Sequence, residues 1–123
     1  MTNIQSSVDM FLDGCACSQA VLVPYCNRYG LDAGHAMKLS AGFASGMRMS
    51  ETCGAITGSF MVLGLHVCGD DCNTVKGRQE LYSRVSEFTA RFRERRGSTR
   101  CENLLGCDVS SEAGLMMARE LNL

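Results

Sequence analysis

Tryptophan is absent, proline occurs once, and no Cys-x-x-Cys pair exists anywhere in the 123 residues. Without that pair there is no thioredoxin motif, no zinc ribbon and no c-type haem attachment site. Charge of one sign is missing too. Twelve Lys and Arg against thirteen Asp and Glu leave a formal net charge of −1, which supplies no field to draw in nucleic acid or an anionic membrane from a distance. The longest uncharged stretch that reads as helix, residues 52–69, is interrupted by Gly54, Thr57, Gly58, Ser59, Gly64 and His66, so the chain is not expected to span a membrane. Met1 to Gly14 has neither a basic start nor a continuous apolar run, which argues against a secretory signal and for a cytoplasmic location. Walker A, Gly-x-Gly-x-x-Gly, His-Glu-x-x-His and Gly-x-Ser-x-Gly patterns are lacking, and with them phosphate cradles and the familiar hydrolase sites.

What is present is cysteine. Eight occur, at positions 15, 17, 26, 53, 68, 72, 101 and 107. In a reducing compartment, thiols at this density point to metal binding or redox chemistry more than to structural disulfides. The length suits one domain with its own core, and 46% hydrophobic with 20% charged residues is ordinary globular usage.

The patterning is helical throughout. Ile4, Val8, Phe11 and Leu12 fall on one face of a first helix, about Ile4 to Asp13, stopped by Gly14. A second runs from Cys17 to Tyr29 with Gly30 after it and Pro24 expected to bend it. A third, capped by Asp32, runs from Ala33 to Ser45 and buries Ala36, Ser40, Phe43, Ala44 and Met47. It leads into a loop at 46–51. A fourth, opened by Thr52 and ending near His66, is apolar nearly all round and belongs at the centre. Its Gly54 and Gly58 would let another helix come close, as Gly42 and Gly46 would on the third. A fifth, Thr74 to Arg96, aligns Leu81, Val85, Phe88 and Phe92 and carries the pairs Glu80/Arg84 and Glu87/Arg91. Gly97 stops it. Thr99 and Glu102 form a capping box for a short sixth, and Ser110 onward reads as a further helix that breaks off. No alternating strand pattern occurs. The expected fold is all-α, a single compact bundle of six or seven helices over 1–123, truncated at its C-terminus.

Three of the cysteines share one setting. Cys53 follows a good N-cap residue, Cys101 follows Thr99 by two, and Cys17 opens a helix. Each thiol would therefore lie among unpaired backbone N–H groups at a positive helix end, which favours thiolate. Cys15 makes a Cys-x-Cys pair with Cys17. Cys26 reads as a small buried hydrophobe. His66, Cys68, Asp70, Asp71 and Cys72 would suit half a zinc site, or simply a solvent-facing turn around Gly69. His35 reads as a surface residue, and the arginines at 91, 93, 95, 96 and 100 as a solvated basic face.

At Thr52 to Gly58, TCGAITG, the chain resembles the redox-active family C_GCAxxG_C_C, whose signature is Cys-Gly-Ala-x-x-Gly. GCACSQAV (Gly14 to Val21), SAGFASGM (Ser40 to Met47) and the run from Phe88 through GSTRCENLLGCD extend the likeness over about Gly14 to Asp108. They place Cys17, Cys53 and Cys101 at family cysteines. The resemblance implies a helical redox or metal-binding protein, often encoded near membrane transporters, with similar domains beside cytochrome modules that hold an iron–sulfur centre. It also implies a fourth cysteine in a more C-terminal helix, and nothing after Cys107 supplies one.

Three functions are open on this reading. Cys17, Cys53 and Cys101, with Cys15, a C-terminal cysteine or a partner chain as fourth ligand, would bind an iron–sulfur cluster or zinc and carry electrons. Without any cofactor, Cys53 would be the nucleophile of a thiol/disulfide protein, resolved by Cys17 or Cys101. A non-catalytic module, a homodimer through its glycine faces, would dock to a redox partner or a membrane-transporter system.

Overall fold

The computed structural model describes residues 3–106, and within them the fold is all-α. The helices are α1 (Asn3–Leu12), α2 (Cys17–Cys26), α3 (Ala33–Ser40), α4 (Gly54–Val67), α5 (Val75–Arg96) and α6 (Cys101–Leu105). One isolated antiparallel bridge, Thr52 to Arg100, is the extended pairing among the described residues. The expected helix after Ser110 lies outside them.

Glycine does most of the stopping. Gly30, Gly97 and Gly106 each adopt the left-handed conformation at a helix end, and Gly97 N–H closes back on the Arg93 carbonyl at 2.7 Å. Asp32 caps α3 by accepting from the His35 amide at 2.9 Å. Thr74 caps α5 by accepting from the Gly77 amide at 2.9 Å. On α5 the expected pairs form: Arg84 meets Glu80 at 3.5 Å and Arg91 meets Glu87 at 2.6 Å. Such exposed pairs contribute only about 0.3–0.5 kcal/mol each.

Helices α2 and α4 pack most closely, and the reason is the pair of glycines one turn apart on α4. A Cβ at Gly58 would lie 2.9 Å from the Ser18 carbonyl oxygen and 3.1 Å from the Val21 Cβ, so only a bare backbone permits this approach. Below that contact, Leu22, Cys26 and Ala36 form the buried core, flanked by Val23, Leu31, Met61, Val62 and Leu65. Cys26 is fully buried, the small-hydrophobe role its place in the pattern indicates. Helix α5 joins through Phe88, edge-on to Phe60 at 6.1 Å.

Four local expectations need correction. The third helix ends at Ser40, not Ser45, and continues as two 3-10 turns, Ala41–Phe43 and Ser45–Arg48. Phe43 consequently turns outward and is 42% exposed, while Ala44 stays buried. The break is enforced by Ser45, Gly46, Met47, Arg48 and Ser50, all at positive φ, a conformation costly for residues with a Cβ and incompatible with a continuing helix. Second, α4 is capped by Cys53 itself, because Thr52 is held in the bridge to Arg100. Third, the Thr99/Glu102 capping box does not form. Arg100 is the N-cap of α6, and Ser98 Oγ instead accepts from the Arg100 amide at 3.1 Å and from Asn103 Nδ2 at 3.0 Å. Fourth, a Cβ at Gly42 would meet nothing within 4 Å among the described residues, so none of their helices closes on it.

Candidate functional site

The sequence CSQA, Cys17 to Ala20, builds the first wall. Gln19 Oε1 accepts from the Ala16 amide at 2.9 Å, closing the N-terminus of α2, and its Nε2 donates to the Met37 carbonyl at 3.0 Å. Ser18, fully buried, donates to the Ser40 carbonyl at 2.6 Å. These bonds tie the first turn of α2 to α3 and fix where the half-buried Cys17 points. Its sulfur lies over Gly54, where any Cβ would overlap it; the same Cβ would come within 3.0 Å of the Ala44 Cα. Gly54 is thus the space that Cys17 occupies.

Cys53, next to that glycine, starts α4. Its carbonyl accepts from the Ile56 and Thr57 amides at 2.9 and 3.1 Å. The sulfur does not close a capping hydrogen bond, yet the amides of Ala55 and Ile56 lie near enough to favour its thiolate. Burial works the other way and dominates. It pushes the Cys53 thiol above its ordinary range, and the neighbouring Cys17 adds to the rise. The expectation that a helix start makes Cys53 a ready thiolate is therefore corrected: the dipole is present, and desolvation outweighs it.

Cys101 reaches the same region through the bridge. Flanking Thr52 and Arg100, the Cys53 amide donates to the Thr99 carbonyl at 2.8 Å and the Cys101 amide to the Glu51 carbonyl. Cys53 and Cys101 are thereby diagonal neighbours across the bridge. Cys101 is buried and sits against Gly46, where a Cβ would lie 2.9 Å from the Cys101 Cβ and 2.5 Å from the Glu51 nitrogen. The left-handed run at 45–50 is what brings Gly46 there. Arg100, at 3.8 Å from Glu51 and 3.5 Å from Glu102, guards the outer edge.

An apolar groove of about 330 Å³ opens beside Cys17, lined by Val8, Phe11, Leu12, Ala20, Val21 and Ala55. The apolar face of α1 borders it and is left exposed, with Phe11 at 48% and Leu12 at 76%. Cys15 lies in the turn before α2, its amide bonded to the Met10 carbonyl at 3.0 Å. Cys68 and Cys72 are elsewhere, beyond the far end of α4, and Cys107 lies outside the described residues. His35 is exposed beside Asp32. His66 Nδ1 is 2.9 Å from the Tyr29 hydroxyl, so it is not poised over the cysteine loop that follows it. Among the described residues, no three His, Cys, Asp or Glu side chains converge in a way that would hold a metal ion.

The family model described as "Putative redox-active protein (C_GCAxxG_C_C)" matches residues 15–121. The chain belongs to this redox-active family. Comparison with the curated proteins and with the solved structures finds no match. The family match spans Cys17, Cys53 and Cys101 and the two glycines of TCGAITG, whose structural reason is now visible: the first makes room for a sulfur, the second for a helix backbone. Among the described residues no helix is long and apolar enough to cross a membrane.

Proposed function

We propose that the protein is a thiol redox carrier in which Cys17 and Cys53 cycle between dithiol and disulfide, with Cys101 as the third sulfur of the site. The single observation that carries this reading is the seating of Cys17 Sγ on Gly54, immediately beside Cys53, with the two thiols electrostatically coupled. Two thiols held in register exchange with a disulfide far faster than a lone one, because the second attack is intramolecular. Cys53, held protonated by burial, fits the resolving role. Cys17, bordering the apolar groove, fits the attacking one. This reverses the roles that the helix-start argument gives them. In the forward step Cys17 thiolate attacks a partner disulfide and one partner thiol leaves. Cys53 then loses its proton and attacks the Cys17 sulfur, releasing the second thiol: two protein thiols are oxidised and one partner disulfide is reduced.

The experiment is a redox titration of the full chain against dithiothreitol buffers, followed by thiol counting and peptide mapping. A single two-electron transition that links Cys17 to Cys53, lost in both Cys17→Ser and Cys53→Ser, is expected. A wild-type chain that links neither residue over the whole range would overturn the reading.

A metal reading is favoured by one observation, the Thr52–Arg100 bridge, which carries Cys53 and Cys101 on the residues that follow its two partners. Cys17, Cys53 and Cys101, with Cys15 two residues from Cys17, are the thiolates that would hold zinc or an iron–sulfur cluster. The described residues do not converge into a complete ligand set, so no step is derived through such a group. Metal analysis and an absorption spectrum on anaerobically purified protein test it, with bound iron or zinc lost in Cys101→Ser supporting it. Under this proposal the protein works in the reducing cytoplasm. A redox partner, in a membrane-transporter system or as a second copy of this chain, would approach over the groove beside α1.

A further inference from the structure

The loop after α4 holds a second pair of sulfurs that the first site does not use. Cys68 is the C-cap of α4, its amide bonded to the Gly64 carbonyl at 3.0 Å, and a tight turn then brings the Cys72 amide to the Gly69 carbonyl at 3.2 Å. Four residues apart across that turn, both side chains line one groove.

The turn is anchored at both ends. Thr74 donates from its amide (2.9 Å) and its hydroxyl (2.8 Å) to the Asp71 carbonyl, and Arg78 Nη1 donates to the Cys72 carbonyl at 3.0 Å. Gly77, in the first turn of α5, is so close to the Asp71 backbone that a Cβ there would overlap it. These contacts fix the turn that carries both sulfurs instead of leaving it a free loop, and pre-organisation of this kind raises the rate of a second, intramolecular attack.

The surroundings divide the roles. Cys72 is exposed, Cys68 half-buried. Both sit at the rim of an apolar groove of about 480 Å³ walled by Leu22, Leu31, Leu39, Met61 and Leu65. The Cys68 thiol is pushed up, by desolvation and by Cys72 and Asp71, with Arg78 opposing. The exposed Cys72 is the sulfur that a disulfide reaches first, with the half-buried Cys68 behind it.

We propose that Cys68 and Cys72 form a second dithiol centre, independent of Cys17, Cys53 and Cys101, that reduces uncharged low-molecular-weight disulfides and closes to a Cys68–Cys72 disulfide. The Cys72 thiolate attacks one sulfur of the substrate, whose S–S bond breaks to release one thiol. Cys68 then gives up its proton and attacks Cys72 in the mixed disulfide, releasing the second. Two protein thiols are oxidised and one disulfide becomes two thiols. Turnover requires a reductant, a dithiol such as dithiothreitol serving in the test.

The pre-reduced full chain is exposed to bis(2-hydroxyethyl) disulfide, quenched in acid, alkylated and digested with chymotrypsin and Asp-N. Phe60 and Leu65 separate Cys53 from Cys68, and Asp70 and Asp71 separate Cys68 from Cys72, so the linked peptides are unambiguous. A Cys68–Cys72 link is expected in the wild type and equally in Cys17→Ser, which keeps this outcome distinct from the first site. Cys68→Ser should retain a stable mixed disulfide on Cys72, and Cys72→Ser should slow adduct formation at Cys68 roughly tenfold. Separate adducts persisting on both cysteines of the wild type, or Cys68 linked to Cys53 instead, would overturn the proposal.

Discussion

Replacing Gly54 with alanine tests the packing that brings the first site together, and Gly64 on the same helix provides its control. At Gly64 an added Cβ meets nothing within 4 Å among the described residues, so Gly64→Ala should gain helix propensity alone, about 0.5–1 kcal/mol. At Gly54 the added Cβ overlaps the Cys17 sulfur and comes within 3.0 Å of the Ala44 Cα and 3.2 Å of the Ser18 nitrogen. Two of those three atoms are backbone and cannot rotate away. Overpacking of this kind costs about 1–3 kcal/mol, against which a propensity gain of at most about 1 kcal/mol is set. The two variants should thus differ by about 1–3 kcal/mol. For a chain of this length 1 kcal/mol shifts Tm by roughly 4 °C, so thermal unfolding followed by circular dichroism should separate them by about 4–12 °C, Gly64→Ala above wild type and Gly54→Ala at or below it. If Gly54→Ala melts as high as Gly64→Ala, the Cys17 sulfur does not occupy that space and the proposed pairing fails with it.

Ser18→Ala should lower stability by about 1–3 kcal/mol in denaturant titration, since it strips a buried 2.6 Å hydrogen bond from the Ser40 carbonyl. Gly46→Ala should cost about 2–4 kcal/mol, combining a positive φ of 60° with overlap on Glu51 and Cys101, and chemical denaturation checks it. Because the Cys53 thiol is raised, its contribution to folding is fully present below the ordinary thiol value of 9.0 and is lost as pH climbs through the higher folded value. Stability measured from pH 8 to 11 should therefore fall more steeply in the wild type than in Cys53→Ser; parallel curves would contradict the shift. Alkylation of Cys53 by iodoacetamide should likewise accelerate only at alkaline pH, and a plateau already reached at neutral pH would refute the desolvation argument.

Much of the architecture can be read from residue order. Gly14, Gly30 and Gly97 mark helix ends because only glycine adopts the left-handed turn at no steric cost, and Leu81, Val85, Phe88 and Phe92 define the inner face of α5 through simple periodicity. Gly54 and Gly58 signal close helix approach for the same local reason. The break after Ser40 is less legible, because Ser45, Met47, Arg48 and Ser50 carry no turn signature and their positive φ is imposed by the tertiary path toward Glu51 and Cys101. The Thr52–Arg100 bridge is a long-range pairing that no local pattern announces, and it displaces both expected caps by a residue. The thiolate expectation at Cys53 rests on a local dipole, whereas the shift is decided by burial, a property of the assembled bundle. The turn joining Cys68 to Cys72 is visible as Gly69 with two aspartates. That the turn is pinned against α5 depends on Gly77 leaving room for the Asp71 backbone, which spacing alone does not reveal.

The central claim is that the Cys17 and Cys53 sulfurs are neighbours, and the most direct measurement is cross-linking of the reduced native protein with one equivalent of dibromobimane, which bridges and fluoresces on two adjacent thiols. Peptide mapping of the fluorescent product should find Cys17 joined to Cys53, alongside the separate Cys68–Cys72 product, with the first missing in Cys17→Ser. A product that joins Cys17 only to Cys15, or leaves Cys53 singly labelled, would contradict the account.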